Sequence, residues 1–374
     1  MIVSISNPLI QTYIFSAILL IALLVSLRKK QDTDFFGIAV SQELKGFAIL
    51  SIVFAHVAYA LVSDSSFLNP LSTMAGVGVN LFLILSGYGL MASALKKPLS
   101  IGQFYKRRLL NLYTPFWICL TAFFVLDFYV LHLNYGLVYM LKAFAGLFTH
   151  ADLYQDINAP FWYFSWIVMY YLLFPLLFFK KRPWLSAILM YALPFALIQA
   201  QPHFLDQVIH LYRVHAIAFP LGMLMSWFFN GSLTWPKIKT SLDNLKNKIV
   251  WRWVAIILLM AAILYFAKNS GVGSVAIIEE VISIITSLLF IALFIIKRLE
   301  IKTLYWFGFY SYEIYLFHWP LMYRYDFLYK YLPAWLALAL YLAVFIGLGW
   351  VFKFVIDAQN QAWCKISPKA SIDK

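Results

Sequence analysis

The sequence predicts an all-α integral membrane protein of about eleven transmembrane helices, N-terminus out and C-terminus in. Three observations carry this. Hydrophobic residues fill 63% of the 374 positions and charged residues only 12%, against roughly a quarter charged in soluble domains. The apolar residues gather into runs of about 20, the length that crosses a bilayer core. Lys and Arg fall between those runs, and mostly on one side of them.

Taken in order, the first run, 7 to 27, lacks a basic residue ahead of it and is followed by Arg28, Lys29 and Lys30. That order reads as a retained span with an outside N-terminus, not as a cleaved signal peptide. Further spans are expected near 44 to 63, 75 to 95, 109 to 131, 160 to 179, 184 to 200, 213 to 229, 250 to 267, 275 to 296, 304 to 323 and 333 to 355. The least regular are 184 to 200, interrupted by Pro194, and 213 to 229, which carries Arg213, His215 and Pro220. With this count the outer segments hold only Lys142, Arg213, Lys268, Arg324 and Lys330, and the other 24 of the 29 basic residues lie inside. One missed or added span would scramble that division.

The loops are short. The longest outer one, 132 to 159, contains "GLVYMLKAFAGLFT", which reads as an interfacial amphipathic helix. The longest inner one, 230 to 249, is basic and suited to anionic lipid. The net charge of +13 comes from such scattered clusters, so a nucleic-acid surface is not expected. Two cysteines, Cys119 and Cys364, fall at different membrane levels and offer no disulfide framework or metal set.

Ionisable groups at membrane depth are costly and by default mark a functional path. His56, Asp127, Glu279, Glu280, Glu313 and His318 are such groups, with Asn80 and Ser86 as polar companions. Asp127, Glu279 and Glu280 fall near outer helix ends, where water is within reach. His56 lies about twelve residues into its span, roughly 18 Å from the inner end, and is either a packed core histidine or a catalyst. Glu313 and His318, five apart, do not share one helix face. Lys106, Arg107 and Arg108 stand at the inner start of a helix, either as plain positive-inside charge or as a grip on phosphates. Trp162 and Tyr163 belong to an interfacial belt or stack on a sugar.

Five segments then resemble the acyltransferase-3 membrane family. "ELKGFAILSIVFAH" (43 to 56) is similar to an L-R-G stretch leading to a histidine, and "GVNLFLILSGYGL" (78 to 90) to G-V-D-L-F-F-V-L-S-G-F. "FYKRRLLNLYTPFW" (104 to 117) is similar to F-x-x-R-R-x-x-R-I-x-P, and "FWYFSWIVMYYLLFPLL" (161 to 177) to W-Y-L-S-x-x-x-x-F-Y-L-L-F-P. "FGFYSYEIYLFHWPL" (307 to 321) is similar to S-Y-x-x-Y-L-x-H-x-P. The ordered set carries the resemblance.

It implies a ten-helix core, here 44 to 355, preceded by one extra helix and linker over 1 to 43 and followed by a basic tail over 356 to 374. It also implies transfer of an acyl group, commonly acetyl, from cytosolic acyl-CoA to a hydroxyl of a cell-surface carbohydrate or lipid-linked glycan, in a bacterial plasma membrane. No tightly bound cofactor is expected; acyl-CoA is the donor substrate. Carried over, the family histidine falls on His56, the acyl-CoA motif on Lys106, Arg107 and Arg108, and the small S-G pair on Ser86 and Gly87. Asn80, Ser86, Trp162, Tyr163 and His318 are the expected acceptor-side residues, and Asp64 and Glu313 the expected acidic partners. Three departures stand out: Asn111 replaces a second arginine, Asp64 lies eight positions after His56 where the family's acid is about ten away, and apolar residues near Ile167 replace a glutamate.

Histidine suits removal of a hydroxyl proton during attack on a thioester. It also suits a covalent route in which His56 takes the acyl group and passes it on. Both remain open at this level. Ser86 in "LSGYG" lacks the G-x-S-x-G pattern and strand of a nucleophile elbow. A transporter or flippase for a glycan or small anion is the competing class, although no paired broken helices mark the two halves.

Overall fold

The computed structural model describes residues 3–30, 36–231, 236, 239–240, 248–270 and 277–366, the side chains of 231 and 357–366 excepted. Its helices are α1 (Pro8–Val25), α2 (Ile38–His56), α3 (Ala75–Lys96), α4 (Ile101–Val130), α5 (Leu137–Phe144), α6 (Trp162–Leu177), α7 (Pro183–Ala200), α8 (Ile209–His215), α9 (Ala218–Gly231), α10 (Ile249–Ala267), α11 (Ile277–Ile296), α12 (Lys302–Phe309), α13 (Ser311–Tyr323) and α14 (Ala334–Ile366). Two short strands, β1 (Leu27–Lys29) and β2 (Leu299–Ile301), pair antiparallel. Most of the basic 230–249 loop lies outside the described residues.

A helix that is apolar on every face belongs in the interior. The spans built on α2 and α3 obey this: 72% and 67% of an 18-residue apolar stretch in each is buried, against 17% in α1 and 11% in α10, whose apolar faces are left for lipid. Lipid tails are as apolar as leucine, so close packing must come from small residues. Gly46 and Gly308 supply it between α2 and α12: a Cβ on Gly46 would stand 1.9 Å from Leu304 O, and one on Gly308 1.7 Å from Gln42 O. Gly87 and Gly222 do the same between α3 and α9, meeting Phe219 O at 2.1 Å and Ile84 O at 2.0 Å.

Among the described residues nine helical stretches are long and apolar enough to cross a membrane. The chain is a multi-pass membrane protein. Two of the eleven expected spans are helix pairs instead of single helices. The 213–229 span breaks after His215, where the Tyr170 hydroxyl donates to the freed Ala216 carbonyl at 2.8 Å. Such backbone breaks persist at membrane depth only where protein groups satisfy them. The 304–323 span breaks at Tyr310, which separates α12 from α13. The second span starts at Ile38, six residues before the expected boundary, and runs on through a π-helical turn, Val57–Leu61. His56 therefore stands nearer the far end of its span than the sequence count placed it.

The ends expected inside meet one another. Arg28 pairs with Glu300 at 2.8 Å, and Lys297 with buried Glu43 at 2.5 Å, so β1, β2 and α2 are tied together. The segments expected outside also converge: Val3 N–H donates to Leu61 O, and Arg324 donates to Gln155 O and Asp156 O at 2.9 and 2.6 Å. The 132–159 segment contains α5, held to α4 by Tyr113 and Trp117, which donate to Ala145 O and Phe144 O. Its Leu137, Val138 and Leu141 are exposed.

Asp127 does not reach water, as its place near a helix end implied. It is wholly buried and accepts from Arg324, Tyr135 and Tyr325. Burial and the bond to Asp127 push the Tyr135 phenol up to about 12, so it remains a donor at neutral pH.

Candidate active site

A cavity of about 380 Å³ runs along one face of α2, lined by Lys45, Ile52, Ala55, His56 and Tyr59. Those positions repeat at near multiples of the helical turn, which puts them on one stripe. Lys45 and His56 are eleven residues apart, so the stripe between them is about 16 Å long.

His56 ends the regular part of α2, where the backbone widens into the π-helical turn. Such turns often stand at functional sites. Its Nδ1 lies 2.9 Å from Nε2 of His318, with the two rings nearly parallel at 10°. The tautomers follow from what surrounds them. His318 Nδ1 faces two carbonyl oxygens, Ile314 at 3.0 Å and Tyr315 at 3.1 Å. Carbonyls only accept, so Nδ1 of His318 carries the proton and its Nε2 holds a lone pair. That lone pair requires His56 Nδ1 to be the donor. In the neutral imidazole the remaining lone pair then sits on His56 Nε2.

The helix that presents His318 is clamped by the segment between α5 and α6. Asn158 Nδ2 donates to Leu316 O at 2.8 Å, Tyr315 to Pro160 O at 2.9 Å and Trp319 Nε1 to Leu153 O at 2.8 Å. Leu153 and Pro160 also line the cavity, so the same loop closes one end and steadies the histidine pair.

The opposite end is basic. Lys45 lines the cavity and feels the charges of Arg108 and Lys353. The Arg108 guanidinium lies 5.9 Å from the ring centre of Tyr171, itself a cavity residue. Lys106 and Arg107 are exposed. The triplet occupies the second turn of α4, since that helix begins at Ile101, not near 109. The helix dipole fades within the first turn, so side-chain charge is what this end offers an anion.

The remaining sequence candidates divide. Ser86, Trp162 and Tyr163 line the cavity. Asn80 is fully buried behind it, and holds His215 Nδ1 at 2.7 Å and Ser283 Oγ at 2.8 Å. Glu313 lies buried in the first turn of α13, where an acid suits the helix N-terminus. It is not a lining residue, although Ser311, Tyr312 and Tyr315 of the same helix are. Asp64 lies in the loop after the π-turn, and its carboxylate accepts from the Ser66 amide at 2.9 Å. That bonding to Ser66 holds its carboxyl below the usual carboxylate range. The hydrogen-bond partner of His56 is a histidine, His318, and neither of the expected acids, Asp64 and Glu313, is hydrogen-bonded to it.

Sequence reasoning passed over Lys45, Lys353 and His215. Lys45 had a signal, because it sits inside the quoted 43–56 segment on the same helical face as His56. Nothing local marks Lys353, which lies on α14 over the Phe309 ring and acts on Lys45 through its charge.

An acyltransferase-3 family model, described as an acyltransferase domain, matches residues 44–354. No curated protein and no solved structure matches the chain.

Proposed function

The chain belongs to the acyltransferase-3 family and is a membrane acyltransferase, and from that premise we propose that it carries an acyl group, acetyl in the first instance, from cytosolic acyl-CoA to a hydroxyl of a cell-surface or lipid-linked carbohydrate. Its setting in this reading is a bacterial plasma membrane, with the basic ends toward the cytosol.

One observation supports the reading most: His56 Nε2 keeps its lone pair in a cavity whose far end is basic. The CoA phosphates take the Lys45 and Arg108 end, where an anion relieves the repulsion among Lys45, Arg108 and Lys353. The pantetheine arm then lies along the α2 stripe and brings the thioester to His56.

His56 Nε2 removes the proton of the acceptor hydroxyl as that oxygen attacks the thioester carbonyl. The tetrahedral intermediate collapses, the C–S bond breaks, and the thiolate of CoA takes the proton back from His56. While His56 is charged, its Nδ1–H points at the His318 lone pair, which favours the charged form. In this reading donor and acceptor meet in one cavity and the transfer is direct, without an acyl-enzyme.

The test is mass spectrometry of surface and lipid-linked glycans from cells with and without the gene. Loss of one acyl mass, 42 Da for acetyl, from one glycan class is the expected result; unchanged glycans in cells that make the protein contradict the acceptor assignment.

A further inference from the structure

A second pocket, of about 220 Å³, lies between α5 and the segment that follows it. Its polar lining is Tyr139, Lys142, Thr149, His150 and Asp156, and each keeps hydrogen-bonding capacity that the fold does not use. Asp156 Oδ2 accepts from the Asp152 amide at 2.8 Å, while Oδ1 has no partner among the described residues. The Tyr139 hydroxyl accepts from the Ile157 amide at 3.1 Å, so its own proton is free to be donated. His150 Nδ1 is held by Gln207 Oε1 at 2.5 Å, which leaves Nε2 open. The side chains of Lys142 and Thr149 make no hydrogen bond among the described residues. Burial pushes the Asp156 carboxyl above the usual carboxylate range, the mark of an acid short of donors. Lys142 and His150 are exposed, so the pocket opens to the surface.

This pocket and the catalytic cavity share a wall. His150 and Asp156 line the pocket, while Ala151 and Leu153 of the same segment line the cavity. Neighbouring His150 and Ala151 belong to different spaces, so the wall there is one chain thick. It stands at the His56 end: Leu153 O accepts from Trp319 Nε1 at 2.8 Å, and the Trp319 ring lies 5.5 Å from that of His56. The Tyr154 hydroxyl also donates to Ala60 O at 3.2 Å, and Ala60 lines the cavity beside His56 and Tyr59. The mixture of groups fixes the ligand class. A phosphate would meet the Asp156 carboxylate, and an apolar ligand would leave the polar lining unpaired. Sugar hydroxyls donate and accept at once, which answers a lining of both kinds.

We propose that this pocket binds a neighbouring sugar residue of the acceptor glycan, beside the residue whose hydroxyl is acylated at His56, so that the enzyme prefers a glycan of more than one residue to a single sugar. Asp156 Oδ1 and His150 Nε2 accept from that residue's hydroxyls, and Lys142, Thr149 and Tyr139 donate to it. This rests on the acyltransferase reading above and adds the length of the acceptor to it.

The test is protection of the exposed Lys142 amine from reductive methylation, read by mass spectrometry on the full-length protein in phosphatidylcholine nanodiscs. The probes are intact envelope glycans of the expressing host and the single sugars released from them by hydrolysis. Intact glycans are expected to protect Lys142 and to leave exposed Lys330 as reactive as before, and the single sugars to protect Lys142 far less. In transfer assays with labelled acetyl-CoA, Lys142→Ala and Thr149→Val each raise the KM for intact glycans about tenfold, the equivalent of one lost hydrogen bond, without raising that for acetyl-CoA. Lys142 left unprotected by intact glycans, equal protection by single sugars, or an unchanged glycan KM in both variants overturns the proposal. Protection by phosphatidylglycerol nanodiscs without glycan also overturns it, and makes Lys142 a contact for lipid headgroups. Protection of Lys142 by glycans that the wild-type protein never acetylates overturns the acyltransferase reading instead, and leaves the pocket a sugar site.

Discussion

His56 Nδ1 donates across 2.9 Å to His318 Nε2, and two backbone carbonyls on α13 decide the direction of that bond. The pair works as one unit: the carbonyls set the tautomer of His318, and His318 sets that of His56. A histidine oriented in this way needs no carboxylate.

His318→Ala is expected to lower kcat by about tenfold to a hundredfold while leaving the acyl-CoA KM unchanged, because proton transfer suffers and donor binding does not. Steady-state transfer of labelled acetyl checks it. A KM effect alone would assign His318 to binding.

Asp64→Asn is expected to leave kcat within about twofold of wild type, because its carboxylate bonds Ser66 and a surface polar change is usually worth under about 0.5 kcal/mol. The same transfer assay decides. A loss on the scale of the His318 variant would restore Asp64 as the partner of His56.

Lys45→Ala and Arg108→Ala are each expected to raise the acyl-CoA KM with little change in kcat, since a uniform binding contact is lost. Charge-assisted phosphate contacts are worth about 1.5–3 kcal/mol, so the rise is on the order of tenfold or more per residue. Lys106→Ala and Arg107→Ala, at exposed positions, give smaller effects that vanish first as salt rises. Equal effects at all four positions would contradict the basic-end assignment.

Much of the fold is legible in the sequence because a bilayer demands long apolar runs and leaves basic residues between them. The two broken spans are not, because what sustains each break is tertiary. The break after His215 depends on Tyr170, 46 positions away from the Ala216 carbonyl it satisfies. The histidine pair is hidden for the same reason: 262 residues separate His56 from His318. Asp64 is the nearest acid along the chain, yet its carboxylate accepts from the Ser66 amide while the His56 ring bonds His318.

Buried Asp127 and Arg324 form a pair that joins α4 to the end of α13 and to the segment between α5 and α6. Arg324→Met strands the Asp127 charge and is expected to cost about 3–5 kcal/mol, seen as a lower thermal unfolding temperature. The double variant Asp127→Leu with Arg324→Met recovers part of it. No recovery would mean that Arg324 acts mainly through its bonds to Gln155 O and Asp156 O.

Gly308→Val is expected to destabilise the protein by about 1–3 kcal/mol or more by driving α12 off α2, since even a Cβ there would meet Gln42 O at 1.7 Å. Gly89→Ala, with open space around it, is the matched control in the same unfolding measurement.

His56→Gln isolates the role of His56 Nε2 as the base for acyl transfer, because glutamine keeps a donor for His318 and lacks the basic nitrogen. Transfer of labelled acetyl from acetyl-CoA to host envelope glycans is measured beside the retained binding of acetyl-CoA. With that nitrogen as the base, transfer falls at least about a hundredfold and donor binding stays intact. Transfer by His56→Gln within about tenfold of wild type, below the usual contribution of a general base, would contradict it.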